Sequence, residues 1–336
     1  MTFKKKRIDK REQSYKNACQ KGYCPTLAER ENNRIKELAN RLKADSKKET
    51  LTNISEWHNN NMIYWYERYP LSFILGVLVV ISLVFFCLNY ILQFWWQFWW
   101  LWWLFVIFGT ASATLLVIVI LLIIDYRKIS PKHFFDIFSF SISTDFLLDK
   151  KLAICRDYAK LTASLLFNIY PETDIYFVHA RGHVAIGIFV EKKPYILDKY
   201  LPLTTIDRWH ERWHKYRFST KKVEKAKGTC LESVPLDSLL LKTSQLNLDT
   251  DTRGCLANKL ERLLSIQNPI DDSKKGSLKI EWKKGAILYE DDEIVNYSLA
   301  QRLKTILSKE MIDTNHVANI TIDKKKDDLI FQIKLM

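Results

Sequence analysis

The sequence, 336 residues long, predicts an α+β protein: a two-helix transmembrane hairpin, a central α+β domain, and a small C-terminal α+β unit. Three features lead to that fold class. From Leu71 to Ile124 the chain contains no Asp, Glu, Lys, Arg or His. Downstream, one apolar helical run is followed by three short strand-like runs. The last third alternates helix and strand patterns again on a smaller scale. The expected divisions are a basic helical segment at 1–66, the hairpin at 67–127, the central domain at 128–218 and an accessory unit at 219–336.

The N-terminus, MTFKKKRIDKR, runs into polar sequence without an apolar core, so no cleavable signal peptide is expected. Thr26-Leu27-Ala28-Glu29 has the pattern of a capping box. Ile35, Leu38, Ala39 and Leu42 then recur at helical spacing, which predicts a helix leading toward the hairpin.

A helix needs about 20 apolar residues to cross the hydrocarbon core of a bilayer. The uncharged stretch therefore reads as two spans, Leu71–Leu92 and Leu104–Ile124. Between them QFWWQFWWLWW concentrates tryptophan in the manner of an interfacial belt. Lys4, Lys5, Lys6, Arg7, Arg41, Lys43, Lys47, Lys48 and Arg68 precede the spans, and Arg127, Lys128 and Lys132 follow them. The positive-inside rule then predicts a multi-pass cell-membrane protein with both termini and the central domain cytoplasmic. The expected partner is the lipid bilayer, whose phosphates would balance part of the formal charge of +13. No nucleic-acid-binding motif accompanies that charge, so nucleic acid is not an expected partner. Six cysteines without a dense framework fit a reducing compartment.

The chemistry-bearing stretch runs from Asp149 to Leu203. Cys155 opens the run RDYAKLTASLLFNI, in which Tyr158, Leu161, Leu165 and Ile169 keep helical spacing. Cys155 is thus expected at a helix N-terminus, where the helix dipole favours a thiolate. Strands are expected at Ile175–Ala180, His183–Val190 and Tyr195–Asp198, with a turn at Glu191-Lys192-Lys193-Pro194. A Cys on a helix with a His and an Asp on neighbouring strands suits a triad. His183 would take the thiol proton, and Asp198 would orient the imidazole and stabilise its charged form. His179 is the rival base on the preceding strand. Asp157 fits a first-turn helix residue, and Arg156 a solvated side chain.

CRDYAKLTASLL resembles the cysteine motif of the transglutaminase-like superfamily, whose fold is papain-like. HVAIGIFV resembles its histidine strand and PYILDKYLPL its aspartate strand. The short spacings are similar to compact archaeal and other microbial members. Ala153 stands where the family often has Gly two before the Cys, and Ala185 where it often has an aromatic residue two after the His. The resemblance implies a thiol hydrolase, a peptidase or amidase using Cys155, His183 and Asp198. It also implies acyl transfer as a further outcome, a peptide or protein substrate, and no cofactor. The alternative is a non-catalytic transglutaminase-fold module that binds peptides or protein partners at the membrane.

His210-Glu211-Arg212-Trp213-His214 also matches the H-E-x-x-H signature of zinc peptidases. Arg208, Arg212 and Lys215 would oppose a divalent cation there, so no metal is expected. An amphipathic helix presenting Ile206, Trp209, Trp213 and Tyr216 to an apolar surface accounts for the same residues. Beyond Ser219, Leu256, Leu260, Leu263 and Leu264 predict a helix. LKIEWKKGAILYE then reads as a hairpin, VNYSLAQRLKTILSKEM as a helix and NITIDKKKDDLIFQIKLM as a second hairpin.

Overall fold

Helix starts near the N-terminus are set by side chains that satisfy free backbone N–H groups. The computed structural model describes residues 25–66, 117, 142–180, 183–199, 202–213, 219–224, 230–234, 248–266 and 276–335. Helix α1 (Leu27–Glu31) opens on the expected capping box. Thr26 Oγ1 accepts the Glu29 N–H at 3.3 Å, and Glu29 Oε2 accepts the Thr26 N–H at 2.9 Å. Helix α2 (Asn33–Leu42) buries Ile35, Leu38, Ala39 and Leu42, the four residues whose spacing predicted it. Helix α3 (Lys47–Asn61) starts at Ser46, whose hydroxyl accepts the Glu49 N–H.

Helix α4 (Thr144–Lys150) stops at Lys151, which takes a left-handed conformation with φ 56°. After a short extended stretch, α5 (Cys155–Ile169) forms the central helix. It is buried on nearly every side, and α2 packs along it. Burial of that extent suits an apolar helix but leaves Lys160 in the interior, 2% exposed, where the Glu29 carboxylate of α1 pairs with it.

The main sheet follows. Strands β1 (Ile175–Ala180), β2 (His183–Val190), β3 (Lys193–Leu197), β4 (Thr204–Thr205), β5 (Ser219–Glu224) and β6 (Cys230–Val234) lie in the order β4-β3-β2-β1-β5-β6. All neighbours are antiparallel. The β2–β3 hairpin turns through Glu191 and Lys192, both at positive φ (49° and 72°), the backbone a two-residue hairpin loop requires. Helix α6 (Ile206–Trp213) leaves β4 directly, and Trp209 and Ile206 pack into a cluster with Tyr176, Val178, Ala180, Ala185 and Ile196.

The C-terminal part contains α7 (Thr250–Leu263), β7 (Gly276–Trp282), α8 (Gly285–Leu288), α9 (Glu293–Lys309), β8 (Val317–Lys325) and β9 (Asp328–Leu335). The β8–β9 hairpin is as the sequence predicts, and β7 adds to β9 in the order β8-β9-β7. The hairpin expected at 278–290 is only half realised. Its first half is β7, but its second half closes into the single turn of α8, with Ile287 and Leu288 N–H donating to Lys284 O. Gly285 makes this turn possible: a Cβ there would lie 2.8 Å from Trp282 Cδ2, so the backbone tucks under the indole where a side chain would clash. This part is bonded to the sheet edge. Lys193 Nζ pairs with Glu290 and Asp292 (2.7 and 3.0 Å), Tyr195 OH donates to Asp292 at 2.9 Å, and Leu203 N–H donates to Ser298 Oγ at 2.9 Å.

The chain divides into two compact units, one drawn from Met1–Ile63 and Ser143–Met336, the other from Tyr64–Ile142. The expected two-helix transmembrane hairpin, and with it the multi-pass membrane localisation, is corrected here. Among the described residues no helix is long and apolar enough to cross a membrane. The longest, α9, has 17 residues and carries Glu293, Arg302, Lys304 and Lys309, whereas a span needs about 20 apolar ones. The segment Leu71–Ile124 that suggested the spans lies outside the described residues, apart from Val117.

Candidate active site

Cys155 is the first residue of α5 and is 4% exposed. Its helix start is fixed from below by Asp157, whose Oδ2 accepts the Ile154 N–H at 3.0 Å, so Asp157 has the expected first-turn role. His183 is the first residue of β2, and Asp198 follows the last residue of β3. The antiparallel register that pairs Ile186 with Leu197 brings these two strand ends together.

His183 Nε2 lies 2.9 Å from both carboxylate oxygens of Asp198. Its side chain is also hydrogen-bonded to Cys155. With Nε2 committed to Asp198, Nδ1 is the nitrogen left for the thiol. The structure therefore brings together all three sequence-predicted residues, Cys155, His183 and Asp198. His179 is set apart from them. Ala180 pairs with His183 and His179 with Val184, so alternation places His179 on the opposite face of the sheet from His183.

Two tryptophans complete the surroundings. Trp209 Nε1 donates to Asp198 Oδ2 at 2.9 Å, and the Lys199 N–H donates to Asp198 Oδ1 at 2.7 Å. The Trp213 ring stacks on His183 with centroids 4.8 Å apart and planes at 20°, and Trp209 stands behind at 6.0 Å. Sequence periodicity placed Trp209 and Trp213 on one apolar helix face but gave no hint that this face closes over an imidazole. Lys199 and Arg212 were missed as site neighbours altogether; the one available signal was that each adjoins a residue already singled out.

The electrostatics follow from this packing. Burial pushes the His183 imidazole toward its neutral form. The Asp198 charge and hydrogen bond oppose that, as do the hydrogen bond and charge of Cys155, and together they raise its pKa to about 10. For Asp198, burial pushes the carboxyl up. The His183 charge, with hydrogen bonds from His183, Trp209 and the Lys199 N–H, outweighs burial and holds it below the ordinary carboxylate range. Both effects describe one favourable pair, an imidazolium facing a carboxylate.

The H-E-x-x-H residues make no comparable constellation. Arg208 Nη1 donates to Glu211 Oε2 at 3.0 Å, which occupies the carboxylate a zinc peptidase would use as its base. His214 lies outside the described residues, as does Tyr216. No group of three or more His, Cys, Asp or Glu that could hold a metal occurs among the described residues.

The chain is 26% identical over 320 residues to UPF0252 protein MJECL39 of Methanocaldococcus jannaschii, a match covering 85% of this chain and 87% of that archaeal protein. No solved structure matches it. Residues 33–226, more than half of the chain, match the family described as a transglutaminase-like domain. That span takes in α5, the strands of the β2–β3 hairpin and all three residues Cys155, His183 and Asp198, and the chain belongs to the transglutaminase-like family.

Proposed function

We propose that the protein is a thiol hydrolase, a peptidase or amidase, with Cys155 as nucleophile, His183 as general acid–base and Asp198 as the group that orients and charges the imidazole. The observation that carries this reading is that His183 is hydrogen-bonded at once to Asp198 and to Cys155. An imidazolium beside Sγ and the N-terminus of α5 both favour the thiolate. The thiolate attacks a carbonyl carbon, forming a C–S bond and an oxyanion. The backbone N–H of Cys155, at the positive end of the α5 dipole, is the donor suited to that oxyanion. His183 then gives its proton to the departing amine as the C–N bond breaks. Water attacks the acyl-enzyme with His183 as base and releases the acid and the thiol; an amine in place of water gives acyl transfer.

The test is alkylation of Cys155 by iodoacetamide as a function of pH, read by mass spectrometry of the Cys155 peptide, in the wild type and in His183→Ala. Rapid labelling well below the free-thiol pKa of about 8.5, lost in the variant, is expected. Labelling that follows an ordinary thiol and is identical in both proteins overturns the enzyme reading and leaves a binding module of the same fold.

A further inference from the structure

The His183 imidazole meets the Asp198 carboxylate at Nε2, the Cys155 thiol, and the face of an indole. The chemistry above uses only the first two. The Trp213 ring lies against His183 with centroids 4.8 Å apart and planes at 20°, a stack and not an edge contact. Trp209 and Trp213 are four residues apart on α6 and so share one face of that helix. Trp209 belongs to the core and is fixed by its bond to Asp198. Trp213 packs at the margin of the same cluster and stays half-buried. Its ring stands nearer the imidazole than the Trp209 ring, whose centroid is 5.9 Å away. Burial of apolar surface therefore accounts for Trp209 better than for Trp213.

An aromatic face carries negative charge density, and it attracts a cation within about 6 Å of the ring centroid, Trp most strongly. The attraction grows when water is excluded, and the His183 side chain is only 8% exposed. The ionisable groups that meet the imidazole are Asp198, beyond the end of β3, and Cys155 on α5, whose negative forms favour its charge. Lys199 and Arg212, next in the chain to Asp198 and Trp213, oppose it by like charge. The Arg212 guanidinium also approaches the Trp213 ring, at 5.5 Å from its centroid. His179 of β1 lies on the other face of the sheet.

We infer that Trp213 is a positioning residue for the thiol chemistry: its indole face, stacked on His183, stabilises the protonated imidazole, the form that gives a proton to the departing amine. This rests on the thiol-hydrolase reading and adds a fourth side chain to Cys155, His183 and Asp198. Trp213 acts through the imidazole and not on the substrate.

The experiment titrates the His183 ring by NMR in protein labelled with 13C-histidine. His183→Gln identifies its signal among the seven histidines. In the wild type the ring is expected to lose its proton near pH 10. In Trp213→Leu the midpoint should fall by about one pH unit, the size of a desolvated cation–π contact. Trp213→Phe keeps a weaker ring face and should fall between the two. A merely structural role would leave the midpoint in place. Equal midpoints in all three proteins overturn the proposal, and so does a shift in Trp213→Phe as large as in Trp213→Leu. Because a substitution in α6 can disturb folding, a second measurement uses wild-type protein made with 5-fluorotryptophan, which keeps the indole shape and weakens its negative face. Its His183 midpoint should fall, and the same labelling of Trp213→Phe should change nothing. No fall in the wild type overturns the proposal, and an equal fall in both proteins does so by assigning the effect to another tryptophan. Slow, pH-ordinary alkylation of Cys155 in the wild type overturns the hydrolase reading instead, so the two failures are distinct.

Discussion

Two buried histidines give this fold opposite pH dependences, with signs set by what surrounds each ring. His183 is raised from the ordinary value of 6.5 to about 10, against burial, by Asp198 and Cys155. A raised pKa stabilises the folded protein fully below 6.5, and the contribution is lost as pH rises toward 10. His58, on α3, is lowered to about 3 by burial alone; its Nε2 lies 2.9 Å from Thr162 Oγ1 of α5 and its ring meets Tyr158. For His58 the stability is present above 6.5 and is lost as pH falls toward 3, because the unfolded chain takes up the proton first. At about 1.36 kcal/mol per unit, the His183 contribution falls by about 2 kcal/mol between pH 6.5 and 8.5. The His58 contribution falls by about 2 kcal/mol between pH 6.5 and 4.5. Urea unfolding at pH 4.5, 6.5 and 8.5 should therefore give a maximum at the middle value. Asp198→Asn should flatten the basic side only, since Cys155 is then the one ionisable partner left to support the charged His183 against burial. His58→Gln should flatten the acidic side only. A basic limb that persists unchanged in Asp198→Asn would refute the assignment of that limb to the His183–Asp198 pair.

Glu29→Gln removes the partner of the interior Lys160 and should destabilise the protein by about 3–5 kcal/mol. Adding Lys160→Met should recover most of that loss in thermal unfolding, and no recovery would mean that the pair is not what α1 contributes. Gly285→Ala places a Cβ 2.8 Å from Trp282 Cδ2 and should cost about 1–3 kcal/mol by overpacking, seen as a lowered melting temperature; an unchanged melting temperature would show that α8 can shift away freely.

How much of this was legible in the sequence depends on whether a residue's role is set locally. Strands β1 and β2 were readable to the residue because their runs of β-branched and aromatic residues are bounded by sharp breaks, at Thr173-Asp174 and at Glu191-Lys192. Cys155 was readable for the same reason: the apolar period of α5 begins with it. The choice of His183 over His179 is a matter of register, which the pattern of one strand suggests but only the pairing of Ala180 with His183 decides. The second half of the 278–290 hairpin was misread because its apolar residues suit a strand and a helix equally. Gly285 beneath Trp282 decides for the helix, and that contact is tertiary. The transmembrane hairpin rested on hydropathy and on the tryptophan belt between the spans, with no packing partner to cross-check it, and no described helix supports a span.

Trp209 shows most directly why site and core cannot be read separately. Its indole ring fills the cluster between α6 and the sheet, fully buried among Tyr176, Val178 and Ile196. The same ring sends its one N–H to Asp198 Oδ2. In the sequence Trp209 is one of several aromatic residues at helical spacing, and that spacing accounts for the packing without remainder. The hydrogen bond exists only because β3 ends at Leu197, which places Asp198 beyond the ladder with its carboxylate facing α6. Asp198 is thereby held by three groups, two of them on different elements: the His183 ring on β2, the Trp209 indole on α6 and the backbone N–H of the next residue, Lys199. A carboxylate so fixed cannot rotate away from the imidazole without also giving up the Trp209 and Lys199 hydrogen bonds. Packing of the α6 face therefore also holds the carboxylate that raises the His183 pKa.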